Sequence, residues 1–145
     1  MLNDKVIMLV EDNLDDVELA MYAFRSNNIA NEIVVREDGQ AALDYLFDDR
    51  QPVPGVILLD LNLPKLGGVE VLRAVRANER TRFVPVVVMT TSREERDLFE
   101  SYQLHANSYV VKPVDFAQFT EAVRQLGMYW LLLNEGPPVK PVASV

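Results

Sequence analysis

The chain has 145 residues, a length typical of one domain, and 49% of them are hydrophobic, which is enough to bury a core. Its formal net charge of -8 argues against non-specific binding to nucleic acid or to an anionic membrane surface. The absence of cysteine excludes disulfides, thiolate zinc sites and cysteine nucleophiles. No apolar run approaches the roughly 20 residues of a membrane span, and the first residues are unlike a signal peptide, so we expect a cytoplasmic protein.

In chain order, short apolar runs alternate with segments whose apolar residues have helical spacing. The second strand is less apolar at its flanks and is expected near a sheet edge. The second helix, 39–49, is expected to turn Leu43, Leu46 and Phe47 inward. The predicted strands cover residues 6–10, 32–36, 56–60, 84–89 and 108–111, and the predicted helices begin near residues 15, 39, 68, 92 and 115, the last of them ending near 134.

The third strand runs through four apolar residues into Asp60, and Pro64 ends it soon afterwards because proline cannot donate to a sheet ladder. A continuous apolar run is typical of a strand buried on both faces in the middle of a parallel sheet. Regular alternation of strand and helix likewise indicates an α/β fold, with a parallel sheet and helices on both faces.

Polar residues follow four of the predicted strands: Asp12, Asp60, Thr90 and Lys112. The carboxyl ends of parallel strands meet at one edge of the sheet, where ligands bind in open α/β folds. We therefore expect these side chains, which are far apart in sequence, to gather at one site.

Glu11, Asp12 and Asp60 would bring up to three carboxylates together at this edge. Such a cluster repels itself unless a cation neutralises it. Oxygen ligands without histidine or cysteine favour Mg²⁺, or Mn²⁺, over zinc.

One carboxylate of this kind can also act as a nucleophile, because aspartyl-phosphate formation is an established form of covalent catalysis. A transferred phosphoryl group needs cations and hydrogen-bond donors around its oxygens. Lys112 would supply the cation, and the Thr90 hydroxyl and Thr91 backbone N–H would be the donors.

Over about residues 5–127 the chain resembles the receiver domain of two-component response regulators. The resemblance implies a doubly wound, flavodoxin-like sheet of five parallel strands in the order 2-1-3-4-5 with five helices. It also implies a signalling protein that takes up phosphoryl groups by self-catalysis and loses them slowly, rather than an enzyme. The matching residues are Glu11-Asp12, Asp60 with Pro64 and Gly68, Thr90, and Lys112-Pro113.

The resemblance also implies a role for each site residue. Asp60 would be the phosphoacceptor, and Lys112 would pair with the phosphoryl group. Thr90 would turn toward that group, and Tyr109 would move inward with it as the aromatic switch residue. The implied Mg²⁺ ligands are Asp12 directly, Glu11 through water, Asp60, and Asn62 through its backbone carbonyl.

Residues 60–64, 90–92, 101–107, 112–115 and 129–131 resemble, more narrowly, the single-domain regulators paired with bacterial and cyanobacterial phytochromes. This likeness implies a phytochrome-type sensor histidine kinase as phosphodonor and an unidentified downstream protein. Residues 1–127 would form the receiver domain. Because residues 128–133 are apolar all round, we expect residues 128–145, which end in a proline-rich tail, to form a dimerisation arm.

Two other functions stay open from the sequence. A magnesium-dependent phosphohydrolase working through an aspartyl phosphate commonly has a second aspartate two residues after the first as general acid, where this chain has Asn62. A degenerate receiver that serves only as a scaffold would not need Asp12, Asp60, Thr90 and Lys112.

Overall fold

The computed structural model describes residues 5–26, 28–90, 106, 108–111, 117 and 121. From residue 7 to residue 90 strands and helices alternate as the apolar pattern predicted, and residues 117 and 121, within the predicted last helix, are helical. The elements are β1 (Ile7–Val10), α1 (Leu14–Ser26), β2 (Ile33–Arg36), α2 (Gly39–Leu46), β3 (Val56–Asp60), α3 (Gly68–Ala77), β4 (Val86–Thr90) and β5 (Ser108–Val111).

The five strands form one parallel sheet in the order β2-β1-β3-β4-β5. This order confirms the predicted flavodoxin-like fold, with β3 at the centre and β2 at an edge. Neighbouring strands are in register so that Val10 of β1 pairs with Leu59 of β3, and Asp60 pairs with Met89 of β4. The residues that end these strands therefore lie side by side at one edge of the sheet.

The sheet is buried on both faces, and every residue of β1, β3 and β4 is buried. Successive side chains of a strand point to opposite faces. Ile57 and Leu59 accordingly pack in the cluster that contains the buried residues of α2 and α3, whereas Leu58 packs in the cluster of α1. Burying an aliphatic side chain of this size stabilises the fold by about 1.5–3 kcal/mol, so the apolar strands are the main source of its stability.

The second helix differs from the prediction, because α2 ends at Leu46 instead of residue 49. Phe47, predicted to face inward, is 39% exposed, while Tyr45 and Leu46 are buried. The Arg80 guanidinium, from beyond α3, donates hydrogen bonds to the carbonyls of Leu46, Asp48 and Gln51. It thereby supplies donors to carbonyls at and after the helix end, which have no partner within the helix.

Several predicted features lie outside the described residues and stay predictions. They are the fourth helix, Thr91, Lys112-Pro113 and the dimerisation arm at 128–145. Tyr109 belongs to β5, but only its backbone is described. Within the described ranges, no helix combines the length and apolarity needed to cross a membrane.

Candidate functional site

Three carboxylates meet at the carboxyl edge of the sheet, as the sequence predicted. Oxygen atoms of Glu11, Asp12 and Asp60 all lie within 4.8 Å of one another. The pairing of Val10 with Leu59 explains this closeness, because the next residues of the two strands are Glu11 and Asp60. Glu11 is fully buried and Asp60 is 2% exposed, whereas Asp12 is exposed. Of the three described carboxylates, only that of Asp12 is exposed to solvent.

The loop that carries Glu11 and Asp12 is tied to the start of α1 through Asn13. The Asn13 backbone N–H donates to Glu11 Oε2 at 3.1 Å. The Asn13 side-chain oxygen in turn accepts hydrogen bonds from the N–H groups of Asp15 at 2.9 Å and Asp16 at 3.2 Å. Asn13 thus caps the helix and orients a site carboxylate. The predicted site did not include Asn13, although asparagine just before a helix is a common N-cap signal.

Asp60 is held by the chain that follows it. Its Oδ1 accepts a hydrogen bond from the Asn62 N–H at 3.2 Å, and the Leu61 N–H donates to the Met89 carbonyl at 3.1 Å. Gly68, at the start of α3, lies against the end of β3 and donates its N–H to the Leu61 carbonyl. A Cβ atom on Gly68 would lie 2.6 Å from the Asp60 carbonyl oxygen, so only glycine allows this close approach.

Thr90 is the last residue of β4 and is fully buried at the same edge. The residue before it, Met89, pairs with Asp60, so Thr90 extends one position beyond the carboxylate. Thr90 itself pairs with Val111 of β5. Lys112 follows Val111 directly in the sequence but lies outside the described residues.

The donor set of this cluster fits a divalent cation. Two buried carboxylates held close together repel each other, and burial removes the water that would otherwise screen them. A hard cation relieves that repulsion, and Mg²⁺ or Mn²⁺ takes carboxylate oxygens while keeping several waters. The exposed side at Asp12 leaves room for those waters and for further oxygen ligands.

Comparison with protein families gives one match over most of the chain. The sequence pattern of the "Response regulator receiver domain" family matches residues 7–124. A relative from Methanothrix harundinacea, described as the probable methanogenesis regulatory protein FilR2, is 42% identical over 135 residues, which are 91% of this chain and 87% of that protein.

Solved structures of similar proteins have the same fold. The bacteriophytochrome response regulator RtBRR is 49% identical with a TM-score of 0.78, covering 93% of this chain and 85% of its own. The Mn²⁺-bound form of response regulator Rcp1, a protein of Synechocystis, is 39% identical with a TM-score of 0.74, covering 88% of this chain and 94% of its own.

Proposed function

The chain belongs to the response regulator receiver domain family, and on that basis we propose that it is a signalling protein that accepts a phosphoryl group on Asp60 in the presence of Mg²⁺ or Mn²⁺. The observation that carries this proposal is the cluster of Glu11, Asp12 and Asp60, whose oxygens lie within 4.8 Å at the carboxyl edge of the sheet. Asp60 ends the central strand of that sheet. A lone strand-end carboxylate would give no reason to expect phosphoryl chemistry.

The reaction proposed for Asp60 is a displacement at phosphorus. A carboxylate oxygen of Asp60 attacks the phosphorus atom of a phosphohistidine or of a small acyl phosphate. The new P–O bond forms as the bond to the donor's nitrogen or oxygen breaks, and that donor atom leaves with the bonding electrons. A cation held by Glu11, Asp12 and Asp60 would supply positive charge that offsets the charge on the carboxylates and on the phosphoryl oxygens. The Asn62 N–H at 3.2 Å from Oδ1 holds the nucleophile in place meanwhile.

The other site residues are assigned by family likeness and position. Glu11 and Asp12, with Asp60 and the Asn62 backbone carbonyl, would hold the cation. Lys112 would pair with the phosphoryl group, and the Thr91 N–H would donate to it. Thr90 would turn toward the new group, and its position one residue beyond Asp60 on the neighbouring strand supports that role. Tyr109 would follow as the switch residue on β5, biasing a protein-binding surface between two arrangements.

A phytochrome-type sensor histidine kinase is the proposed phosphodonor. The support is the 49% identity to a bacteriophytochrome response regulator over 93% of this chain. The hydrolase alternative has less support, because family members are signalling proteins and because the amide side chain of Asn62 cannot act as a general acid.

Replacement of Asp60 by asparagine tests the assignment. The variant retains the shape of the side chain but loses the nucleophilic oxygen, so we expect no phosphoryl uptake from radiolabelled acetyl phosphate or from a phytochrome-type kinase in Mg²⁺. Asp49→Asn is a matched control, because it removes the same charge from an exposed position after α2, and it should label like the wild type. Persistent labelling of Asp60→Asn would refute the assignment, and repeated turnover of small phosphate esters by the wild type would favour the hydrolase.

A further inference from the structure

The loop between β3 and α3, residues 61–67, contains a turn in strained backbone. The Leu66 N–H donates to the Pro64 carbonyl at 2.8 Å, which closes a three-residue turn around Lys65. Lys65 has a φ of 68°. A γ-turn whose central residue has positive φ is rare and strained, and lysine has no special tolerance for that region. Strain of this kind persists only where surrounding structure holds it in place.

The start of α2 is what lies against this turn. A Cβ atom on Gly39 would lie 2.8 Å from the Leu66 carbonyl carbon and closer still to its oxygen. The two backbones can therefore meet only because residue 39 has no side chain. Beside this contact, Lys65 Nζ lies 3.6 Å from Asp38 Oδ2. Asp38 is also the N-cap of α2, accepting the Ala41 N–H at 2.7 Å, so the ion pair reaches the same helix start.

The opposite end of this loop enters the carboxylate cluster. Asn62, five residues before the glycine pair that opens α3, donates its N–H to Asp60 Oδ1. The loop is short and is fixed at Leu61 by the Gly68 N–H. Because the loop has little freedom to change its conformation, we expect a displacement of Leu66 to move Asn62 as well.

From this geometry we infer that Gly39 is a positioning residue for the metal site. It admits the Leu66 carbonyl against the start of α2, and so fixes the loop that carries the Asn62 carbonyl beside Asp60. The inference rests on the proposed function, in which that carbonyl is a cation ligand. It concerns a residue that is distant from the cluster in sequence and contributes no ligand of its own.

Gly39→Ala in the full chain is the direct test. The clash is with a backbone carbonyl, so the loop itself must move, and the dissociation constant for Mn²⁺, measured by electron paramagnetic resonance, should rise about tenfold, as for other residues that orient metal ligands. Gly67→Ala is the matched control one residue from Leu66. Its Cβ would meet only the flexible end of the Glu70 side chain at 2.9 Å, and its Mn²⁺ affinity should stay within about twofold of the wild type.

A second pair of variants serves if Gly39→Ala does not fold. Asp38→Asn and Asp38→Ala remove the same charge and the same ion pair, but asparagine keeps the N-cap and alanine does not. A loosened α2 start should weaken Mn²⁺ binding about two- to fivefold in Asp38→Ala relative to Asp38→Asn, which corresponds to about 0.5–1 kcal/mol, the lower half of the range for loss of one cap.

Unfolding in urea with EDTA separates positioning from stability. A folded Gly39→Ala protein that is destabilised yet binds Mn²⁺ like the wild type would overturn the inference and leave the proposed function intact. Equal Mn²⁺ affinities of the two Asp38 variants would do the same. A wild type that neither binds Mn²⁺ nor accepts phosphate would instead overturn the proposed function and the inference together.

Discussion

Glu11→Gln should make the metal-free protein more stable, although it replaces a fully buried residue. Two unit charges at 4.8 Å, the upper limit of the separations in the cluster, repel by about 3.5 kcal/mol at an effective dielectric constant of about 20 and by about 0.9 kcal/mol in water. The buried Asp60 lies nearer the first limit, and the exposed Asp12 nearer the second. Glutamine has nearly the same shape, and its carbonyl oxygen can still accept the Asn13 N–H that Glu11 Oε2 accepts at 3.1 Å. We expect a gain of about 2 kcal/mol in the free energy of unfolding.

The assay is urea unfolding of wild type and variant, each in EDTA and in saturating Mg²⁺. A ligand that binds only the folded state at 100 times its dissociation constant stabilises by about 2.7 kcal/mol. The wild type should show a Mg²⁺ effect of this size, and Glu11→Gln should show less, because one carboxylate of the cluster is gone. Glu18→Gln, which removes an exposed charge on α1, is the control and should change neither value by more than about 0.5 kcal/mol.

A variant less stable than the wild type in EDTA would refute the reasoning. It would mean that the Glu11 carboxylate makes favourable contacts that outweigh its repulsion by Asp60. An unchanged Mg²⁺ effect would refute the second part, that Glu11 takes part in holding the cation.

Two further predictions concern the end of α2. Arg80→Met removes the guanidinium that donates to three carbonyls at and after the end of this helix. The variant should lower the free energy of unfolding, measured in urea, by about 1–2 kcal/mol. Arg82→Met, at an exposed position, is the control, and an equal loss in both variants would contradict the capping role. Burial, and then the negative charge of Glu32, raise the pKa of Tyr45 above its usual 10.0. A group whose pKa is raised in the folded state contributes stability that is complete below about pH 10 and is lost as the pH rises through the folded-state pKa. The free energy of unfolding of Tyr45→Phe should therefore depend less on pH than that of the wild type between about pH 9 and 11. Parallel curves for variant and wild type would show that the phenol is not responsible.

The sequence by itself determined the central strands of the sheet and the carboxylates that follow them. Apolar runs of four or five residues are local signals, and they placed β1 and β3 to within one residue and β4, predicted at 84–89 and observed at Val86–Thr90, to within two. Because parallel strands end at a common edge, the positions of Glu11, Asp12 and Asp60 after those runs were enough to predict that they meet. The unbroken apolar run of β3 likewise predicted that this strand is buried on both faces.

Only the tertiary structure decided how the loops are held. The carbonyls at the end of α2 are capped by Arg80, which donates to a carbonyl 34 residues earlier in the chain. Gly39 likewise contacts Leu66, which is 27 residues later in the chain. The strained turn at Lys65 lies beside this contact. Periodicity reports which face of an element is buried, since that depends on residues within a turn of one another. It does not indicate which distant backbone lies against that element, because this depends on how elements far apart in sequence pack together.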